Sequence, residues 1–182
     1  ENKQIKAGRS PEEWEKPDKK NKKAQKDTDA RWSKKGGVTF YGYKDHVKID
    51  AASKLIIAYT TTDARVHDSQ MLPELVDERD KLLYADSAYA GKTIEEQLPE
   101  TLELRILERA RRGHPLSEDQ KKANKAKSKV RVRIEHVFGQ MTVSFHGLTL
   151  RCIGMSRAAF NIALTNLAYS MRRYECLCRQ TT

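Results

Sequence analysis

Hydrophobic and polar residues alternate over the first half of the chain in the way that β-strands require. Two β-branched and aromatic stretches, 38–43 and 46–50, precede a polar turn, and the apolar stretch 55–60 follows it. This arrangement predicts a β-hairpin. The run 81–85 predicts another strand, which stops just before Asp86.

Helical spacing of apolar residues appears between these strands and dominates the second half of the chain. Cap residues at 67–70 precede a short helical pattern, and another short helix is expected to open at Gly91. After a strand-like stretch at 102–107, a capping-box pattern at 117–120 predicts a long helix that reaches about Met141. Its predicted core face carries Val130, Ile134, Val137 and Met141.

A final helix is predicted over residues 156–174. Its apolar residues fall on one face, which is made by Phe160, Ala163, Leu164, Leu167 and Met171. The order of strands and helices along the chain predicts an α/β fold, with a mixed sheet flanked by helices.

Charge changes this picture more than any other property of the composition. The 182 residues include 35 Lys and Arg against 25 Asp and Glu, a formal net charge of +10. Such an excess favours a polyanionic partner, above all nucleic acid. The alternative is a basic protein without such a partner. No apolar run approaches the roughly 20 residues that cross a bilayer, so no membrane contact is expected.

The cysteines and the first 36 residues add two further expectations. The cysteines, three in number, are too few and badly spaced for a disulfide framework or a zinc site, which favours free thiols in a reducing cytoplasm. Residues 1–36 are expected to form a basic arm, with a short helix through Trp14 that the pattern at 10–13 initiates. Beyond Pro17 the lysine-rich run predicts an extended or mobile segment, which is either a solvated linker or a DNA contact.

Two acidic residues stand out against this basic background. Asp86 follows a predicted buried strand, where ligand-binding groups of sheets commonly project; the alternative is a cap for the turn that comes next. Glu135 lies beside the apolar stripe of the long helix and is expected close to the core; the alternative is an ion pair with Arg131, four residues earlier. Two carboxylates surrounded by Lys and Arg are typical of metal-assisted phosphodiester chemistry.

Four motifs occur in an order that is found in a known family. YGYKDHVKID at 41–50 is followed by VHDS at 66–69, YADSAY at 84–89 and RVRIEHVFG at 131–139. Each motif alone is a weak signal, but four in this order and spacing are a strong one. Over nearly its whole length the chain resembles the catalytic domain of bacterial insertion-sequence transposases of the DDE class.

The resemblance implies an RNase H-like fold and cut-and-paste DNA transposition. Asp86 matches the second catalytic aspartate of the family, Glu135 its catalytic glutamate, and Arg131 the arginine of its signature. Three such carboxylates would hold two Mg²⁺ ions, or Mn²⁺ instead, which activate the attacking oxygen and stabilise the leaving oxygen. The DNA is expected to be held, mainly at phosphates, by Lys22, Lys23, Arg111, Arg112, Lys122, Lys125, Lys129, Arg131 and Arg133.

The resemblance also implies a homo-oligomer that acts on two element ends in the cytoplasm, in association with the nucleoid. The chain departs from the family signature at Ser128 and Thr142, where Tyr and Lys are expected. These departures affect phosphate contacts more than the metal site.

The first catalytic aspartate of the family has no convincing match. Asp27 and Asp29 lie in polar surroundings, and Asp50 ends a hairpin strand. The chain, which begins without an initiator methionine, is therefore expected to be a fragment that lacks the first strand of the sheet. Residues 37–175 would then be a partial catalytic domain and 176–182 a tail, and the segment alone would be inactive.

Two other interpretations stay open. The chain is either a non-catalytic nucleic-acid-binding remnant of the same fold, or a metal-dependent nuclease of that fold without strand transfer.

Overall fold

The strands form two separate sheets in the computed structural model, which describes residues 2–89, 91–110, 113–145 and 149–181. Strands β1 (Arg31–Lys35), β2 (Val38–Ile49) and β3 (Ile56–Asp63) form an antiparallel sheet in that order. Strands β4 (Leu82–Ala85) and β5 (Glu103–Ile106) form a parallel pair.

The helices from residue 72 onward follow the predicted order, whereas the two nearest the amino terminus were not predicted. They are α1 (Asn2–Lys6), α2 (Lys20–Ala24), α3 (Leu72–Leu75), α4 (Lys92–Glu95), α5 (Glu118–Ser144) and α6 (Met155–Thr181). Short 3-10 turns lie at Glu12–Glu15, Pro17–Lys19, Asp68–Met71 and Ser87–Tyr89. The capping box predicted for the long helix is confirmed, since Ser117 and Gln120 exchange hydrogen bonds at the start of α5.

The hairpin predicted for the first half of the chain is confirmed as β2 and β3. Its turn is held by Asp50, whose Oδ2 accepts from the backbone N and the Oγ of Ser53, both at 2.6 Å. These hydrogen bonds lower the pKa of the Asp50 carboxyl. Asp50 is therefore a turn-forming residue, in keeping with its place at the end of a hairpin strand.

The amino-terminal region is more ordered than the sequence indicated. The lysine-rich run after Pro17, expected to be extended or mobile, forms a 3-10 turn and helix α2 instead. Strand β1 was not predicted, and it pairs with β2 through a two-residue turn. Gly36 and Gly37 form that turn with φ of 57° and 83°, a conformation that glycine adopts at little cost.

Two aspartates attach this region to α6. The backbone N of Gly154 donates to Asp27 Oδ2 at 3.2 Å, and that of Met155 donates to Asp29 Oδ2 at 2.9 Å. Both N–H groups lie at the start of α6, where backbone donors lack helical partners and carboxylates oppose the positive end of the helix dipole. Asp27 and Asp29 are thus structural residues.

The core is divided between two clusters. Leu72, Leu98 and Leu102 pack beneath the β4–β5 pair. Val137 and Met141 of α5 pack with Tyr169 of α6, in contact with the β2–β3 hairpin. The core face predicted for α5 is confirmed at its last two positions, which are at most 1% exposed.

The two sheets do not join into one continuous sheet; the sequence predicted a mixed sheet that lacks its first strand. Strand β2 pairs with β1 and β3, strand β4 pairs with β5, and within the described ranges no strand lies between β2 and β4. What lies there is a groove, which forms part of the site. None of the helices in the described segments is both long and apolar enough to cross a membrane.

Candidate active site

The groove between the two sheets has a volume of about 370 Å³ and is bounded by two strands. Residues 47–51 of β2 and its turn line one side, and residues 82–86 of β4 and its end line the other. Leu72 and Leu75 contribute from α3, and α5 contributes Val130, Arg131, Ile134 and Phe138. The groove is therefore edged by strands β2 and β4 and covered by helices α3 and α5.

A salt bridge fixes how the two strands lie across the groove. Lys48 Nζ of β2 lies 2.6 Å from Oδ2 of Asp80, which precedes β4, and the two side chains are only 10% and 19% exposed. The carboxyl end of β2 is thereby placed beside the start of β4. Asp86 lies at the opposite end of β4.

Asp86 lines the groove where β4 ends. Its Oδ1 accepts a hydrogen bond of 2.5 Å from the backbone N of Ala88, so it caps the 3-10 turn at Ser87–Tyr89. The predicted alternative, a turn cap, is therefore present in the structure. One carboxylate oxygen used in this way leaves the other oxygen of Asp86 available for a ligand.

Glu135 lies on the flank of α5 and not against the core, contrary to the prediction. Its Oε1 is 2.6 Å from Nη2 of Arg131, and the Glu135 side chain is 51% exposed. The i,i+4 ion pair that the sequence left open is therefore formed. The other partner, Arg131, lines the same groove as Asp86.

Arg131 also leaves one donor unused. Its Nε is buried and has no hydrogen-bond partner among the described residues. A buried guanidinium N–H without an acceptor is costly, and a carboxylate is its strongest acceptor. A residue that lines the groove with Asp86 therefore has an unsatisfied donor.

A second acidic residue, Asp68, lies near Asp86 and was given no chemical role by the sequence. Burial, together with the charges of Asp68 and Asp86, raises the pKa of the Tyr89 phenol to about 12, so both carboxylates lie near this ring. Asp68 Oδ1 is also 3.1 Å from Lys44 Nζ and 3.5 Å from His46 Nδ1. The VHDS motif was the signal that could have found it.

The histidines close to the motifs form contacts with other side chains or backbone groups of the protein. His46 is 5% exposed, and its Nε2 lies 2.8 Å from Thr62 Oγ1, so it is not available to contact DNA directly. His67 caps the turn before α3, as predicted, by accepting from the backbone N of Ser69. His136 Nδ1 lies 3.2 Å from Lys54 Nζ on the surface.

The acidic residues present do not by themselves form a metal site. In the part of the chain that the structure describes, no group of three or more His, Cys, Asp or Glu side chains is placed to hold an ion. Two-metal sites need more carboxylate oxygens than Asp86 and the paired Glu135 offer.

The predicted DNA-binding residues divide into exposed and engaged cations. Lys122, Lys125 and Lys129 lie exposed along α5, whereas Arg133 donates to the backbone O of Ala51. Lys22 is exposed on α2. The predicted contacts at Arg111 and Arg112 fall outside the described residues, as does the side chain of Lys23.

Comparisons with known proteins agree with the sequence motifs. The model of a family described as "Transposase DDE domain" matches residues 7–171. Over 126 residues the chain is 38% identical to the transposase for insertion sequence element IS1106 of Neisseria meningitidis serogroup B. This match covers 66% of the chain but 42% of that relative, so the chain spans less than half of the relative's length. No solved structure matches it. Since the family model covers most of its length, the chain belongs to the transposase DDE domain family, as the order of its motifs predicted.

Proposed function

We propose that this chain is the part of an insertion-sequence transposase that binds element-end DNA and supplies Asp86 and Glu135 to a metal-dependent strand-cleaving site. The observation that carries the proposal is the groove between β2 and β4, which Asp86 and Arg131 both line. A strand laid in this groove would pair with both edges and join the two sheets into one mixed sheet of RNase H-like form.

The Lys48–Asp80 salt bridge places the end of β2 beside the start of β4, so a strand between them that is parallel to β4 would be antiparallel to β2. Because β4 ends at Asp86, a strand parallel to β4 would end beside Asp86 as well. Functional groups of open α/β sheets gather beyond the carboxyl ends of the strands. An aspartate at the end of the added strand would be the third carboxylate, and it would offer an acceptor to the unused Nε of Arg131.

The metal requirement of the proposal depends on this third carboxylate. Asp86 and Glu135 alone give an incomplete oxygen cage, and Glu135 is paired with Arg131. Three carboxylates at one sheet edge would suit Mg²⁺, with Mn²⁺ as the alternative. Arg131 would then orient Glu135 and balance part of the negative charge of the site.

The exposed lysines of α5 support DNA as the substrate. Lys122, Lys125 and Lys129 recur at spacings of three and four, so they share one face of the helix. Among the described residues Lys125 and Lys129 form no ion pair, and Lys122 reaches Asp119 only at 4.0 Å. A row of uncompensated cations is suited to phosphate contacts, which position DNA without reading its sequence.

In the experiment, the protein is expressed together with the coding sequence that precedes Glu1 in its gene; we call the product the extended protein. The extended protein is expected to cleave element-end DNA when Mg²⁺ is added. The 182-residue chain alone is expected not to cleave it. In the extended protein, Asp86→Asn and Glu135→Gln should each lower the cleavage rate by about 10³-fold or more, because each removes a metal ligand. DNA affinity, measured by fluorescence anisotropy, should change little.

Matched controls and three diagnostic outcomes complete this test. Asp18→Asn and Glu118→Gln remove exposed carboxylates elsewhere and should leave cleavage unchanged. Full cleavage by the Asp86 or Glu135 variant would overturn the assignment of the site. Cleavage without strand joining would identify a nuclease, and tight DNA binding without cleavage by the extended protein would identify a non-catalytic remnant.

A further inference from the structure

Helix α6 carries an apolar stripe on the side that faces away from the core. Its members are 48% to 64% exposed, and we call them the α6 seam: Phe160, Leu164, Leu167, Met171 and Tyr174. The opposite side of α6 holds the helix on the β2–β3 hairpin through buried residues, namely Ala158, Ile162, Asn166 and Tyr169. The seam therefore contributes nothing to the attachment of α6 to its own domain.

The spacing of the seam is that of a coiled coil. Its members are separated by four, three, four and three residues, an average of 3.5. This is the a/d repeat by which one helix packs its side chains into another. The seam runs over about 21 Å of helix. Ala163 and Ser170 beside it are small enough to let a second helix approach closely.

The charge pattern indicates what kind of partner covers the seam. Residues 158–171 contain no Asp, Glu, Lys or Arg, although the chain as a whole carries a net charge of +10. A nucleic acid would find no cation there to bind its phosphates. Two positively charged copies of this chain repel each other least where such a neutral surface meets another.

We propose that two copies of this chain associate through their α6 seams as an antiparallel pair of helices. A two-fold axis beside Leu167 would set Phe160 against the partner's Tyr174 and Leu164 against the partner's Met171. Each end of the seam is aromatic and its interior is aliphatic, so the seam is complementary to its own reversed copy, as a two-fold interface requires. This interface is independent of the proposed catalytic role.

The distribution of charged residues along α6 also favours the antiparallel arrangement of the two helices. Arg172, Arg173 and Arg179 crowd the carboxyl-terminal half of α6, with Glu175 as the acidic residue among them. A parallel pair would bring these arginines of both copies together, and the antiparallel pair keeps them at opposite ends. Opposed helix dipoles favour the same arrangement.

The area available fits a weak but specific dimer. Five large side chains, each about half to two thirds exposed, offer roughly 500 Å² per copy, or about 1,000 Å² for the pair. This is close to the lower limit for a specific interface. The expected dissociation constant is therefore in the range of about 1–100 µM.

Sedimentation equilibrium of the 182-residue chain tests the proposal directly. A reversible dimer is expected, and Leu164→Glu with Met171→Glu should weaken it by about 100-fold or more, because the interface would bury four like charges, two from each partner. Both residues are exposed in the monomer, so thermal unfolding followed by circular dichroism should change little. Val38→Glu, at a site that is 56% exposed on β2, is the matched control and should dimerise normally.

Disulfide trapping tests the orientation. In a background with Cys152, Cys176 and Cys178 changed to Ser, Leu167→Cys should cross-link to itself. Leu164→Cys should cross-link to Met171→Cys when the two proteins are mixed, and neither should link efficiently to itself. Self-linking of both variants would establish a parallel pair and overturn the proposal. A chain that stays monomeric at about 100 µM would also overturn it, as would an extended, monomeric protein in which the seam is protected from solvent.

Discussion

Asp45 shows how a single buried carboxylate makes the stability of the protein depend on pH. It lies on β2 and accepts a hydrogen bond of 3.2 Å from Asn166 Nδ2 of α6. Burial raises the pKa of Asp45 to about 6, although this hydrogen bond lowers it somewhat. Asp45 Oδ2 and Asn166 Oδ1 are both buried and lack a partner among the described residues. The ionised form of Asp45 is therefore poorly accommodated.

The pH dependence follows from the direction of this shift. Between the ordinary pKa of 3.8 and about 6, the folded state binds the proton of Asp45 more tightly than the unfolded state does. The contribution of Asp45 to the free energy of unfolding therefore falls as pH rises through this window and stays low above it. Asp45→Asn keeps the shape of the side chain, removes the charge, and can donate to Asn166 Oδ1.

We predict that Asp45→Asn raises the free energy of unfolding at pH 7.5 by about 1–3 kcal/mol. The difference from the parent chain should shrink as pH falls from about 6 to about 4. Urea denaturation at several pH values measures it, with Asp18→Asn, which removes an exposed carboxylate, as the control. A variant that is less stable than the parent at pH 7.5 would contradict this account.

Residue type alone could not assign the remaining aspartates. Asp27 and Asp29 have the polar neighbours that argued against a catalytic role, and the structure shows what they do instead. Burial raises the pKa of Asp27, but hydrogen bonds from Tyr43 and three backbone N–H groups outweigh it, so the pKa is lowered. One of these donors, Gly154, lies more than a hundred residues away. No local pattern in a sequence can indicate such a contact.

Helix α5 packs against the core on one face and exposes Lys122, Lys125 and Lys129 on another. Lys125→Glu with Lys129→Glu reverses two exposed charges that form no ion pair with any described residue, so folding should be unaffected. We predict that the double variant binds DNA at least 10-fold more weakly, and that the slope of log affinity against log salt becomes shallower by about 2. Fluorescence anisotropy at several salt concentrations measures both quantities.

The control for the α5 variant must change the same net charge elsewhere. Arg65→Glu with Arg157→Glu does so at two exposed positions on other elements. This control should keep the parent slope, apart from a small loss of affinity that reflects net charge. An equal loss in both double variants would show that α5 is not the binding face.

Elements with strong local signals were predicted, and those that depend on distant partners were not. Strand β4 and helix α5 were found where their apolar runs and the capping box placed them. Strand β1 was missed because Arg31–Lys35 is polar and exposed, and it is a strand only by pairing with β2. On α6 the conspicuous stripe proved to be exposed, because hydropathy does not show which of two apolar stripes faces the core.

On the scale of the whole molecule, the two sheets are joined without a shared strand. Helix α5 contributes to one hydrophobic cluster, covers the groove, and contacts β4. The Lys48–Asp80 salt bridge connects the strands directly. The order of the strands predicted one mixed sheet without its first strand. In the described residues no strand lies between β2 and β4, which leaves two sheets.

This arrangement makes Lys48 critical for the cooperativity of folding. Lys48→Met would leave the Asp80 carboxylate mostly buried and without its cation, a loss on the order of 3 kcal/mol. Because the salt bridge links the two sheets, we predict that β4 and β5 lose protection from hydrogen exchange before the β2–β3 hairpin does. Arg79→Gln breaks the neighbouring Arg79–Asp77 ion pair, whose side chains are 88% and 42% exposed, and should alter neither stability nor exchange. Simultaneous loss of protection in both sheets of the Lys48 variant would show that α5 alone couples them, so that the groove could be opened by a strand without disturbing either sheet.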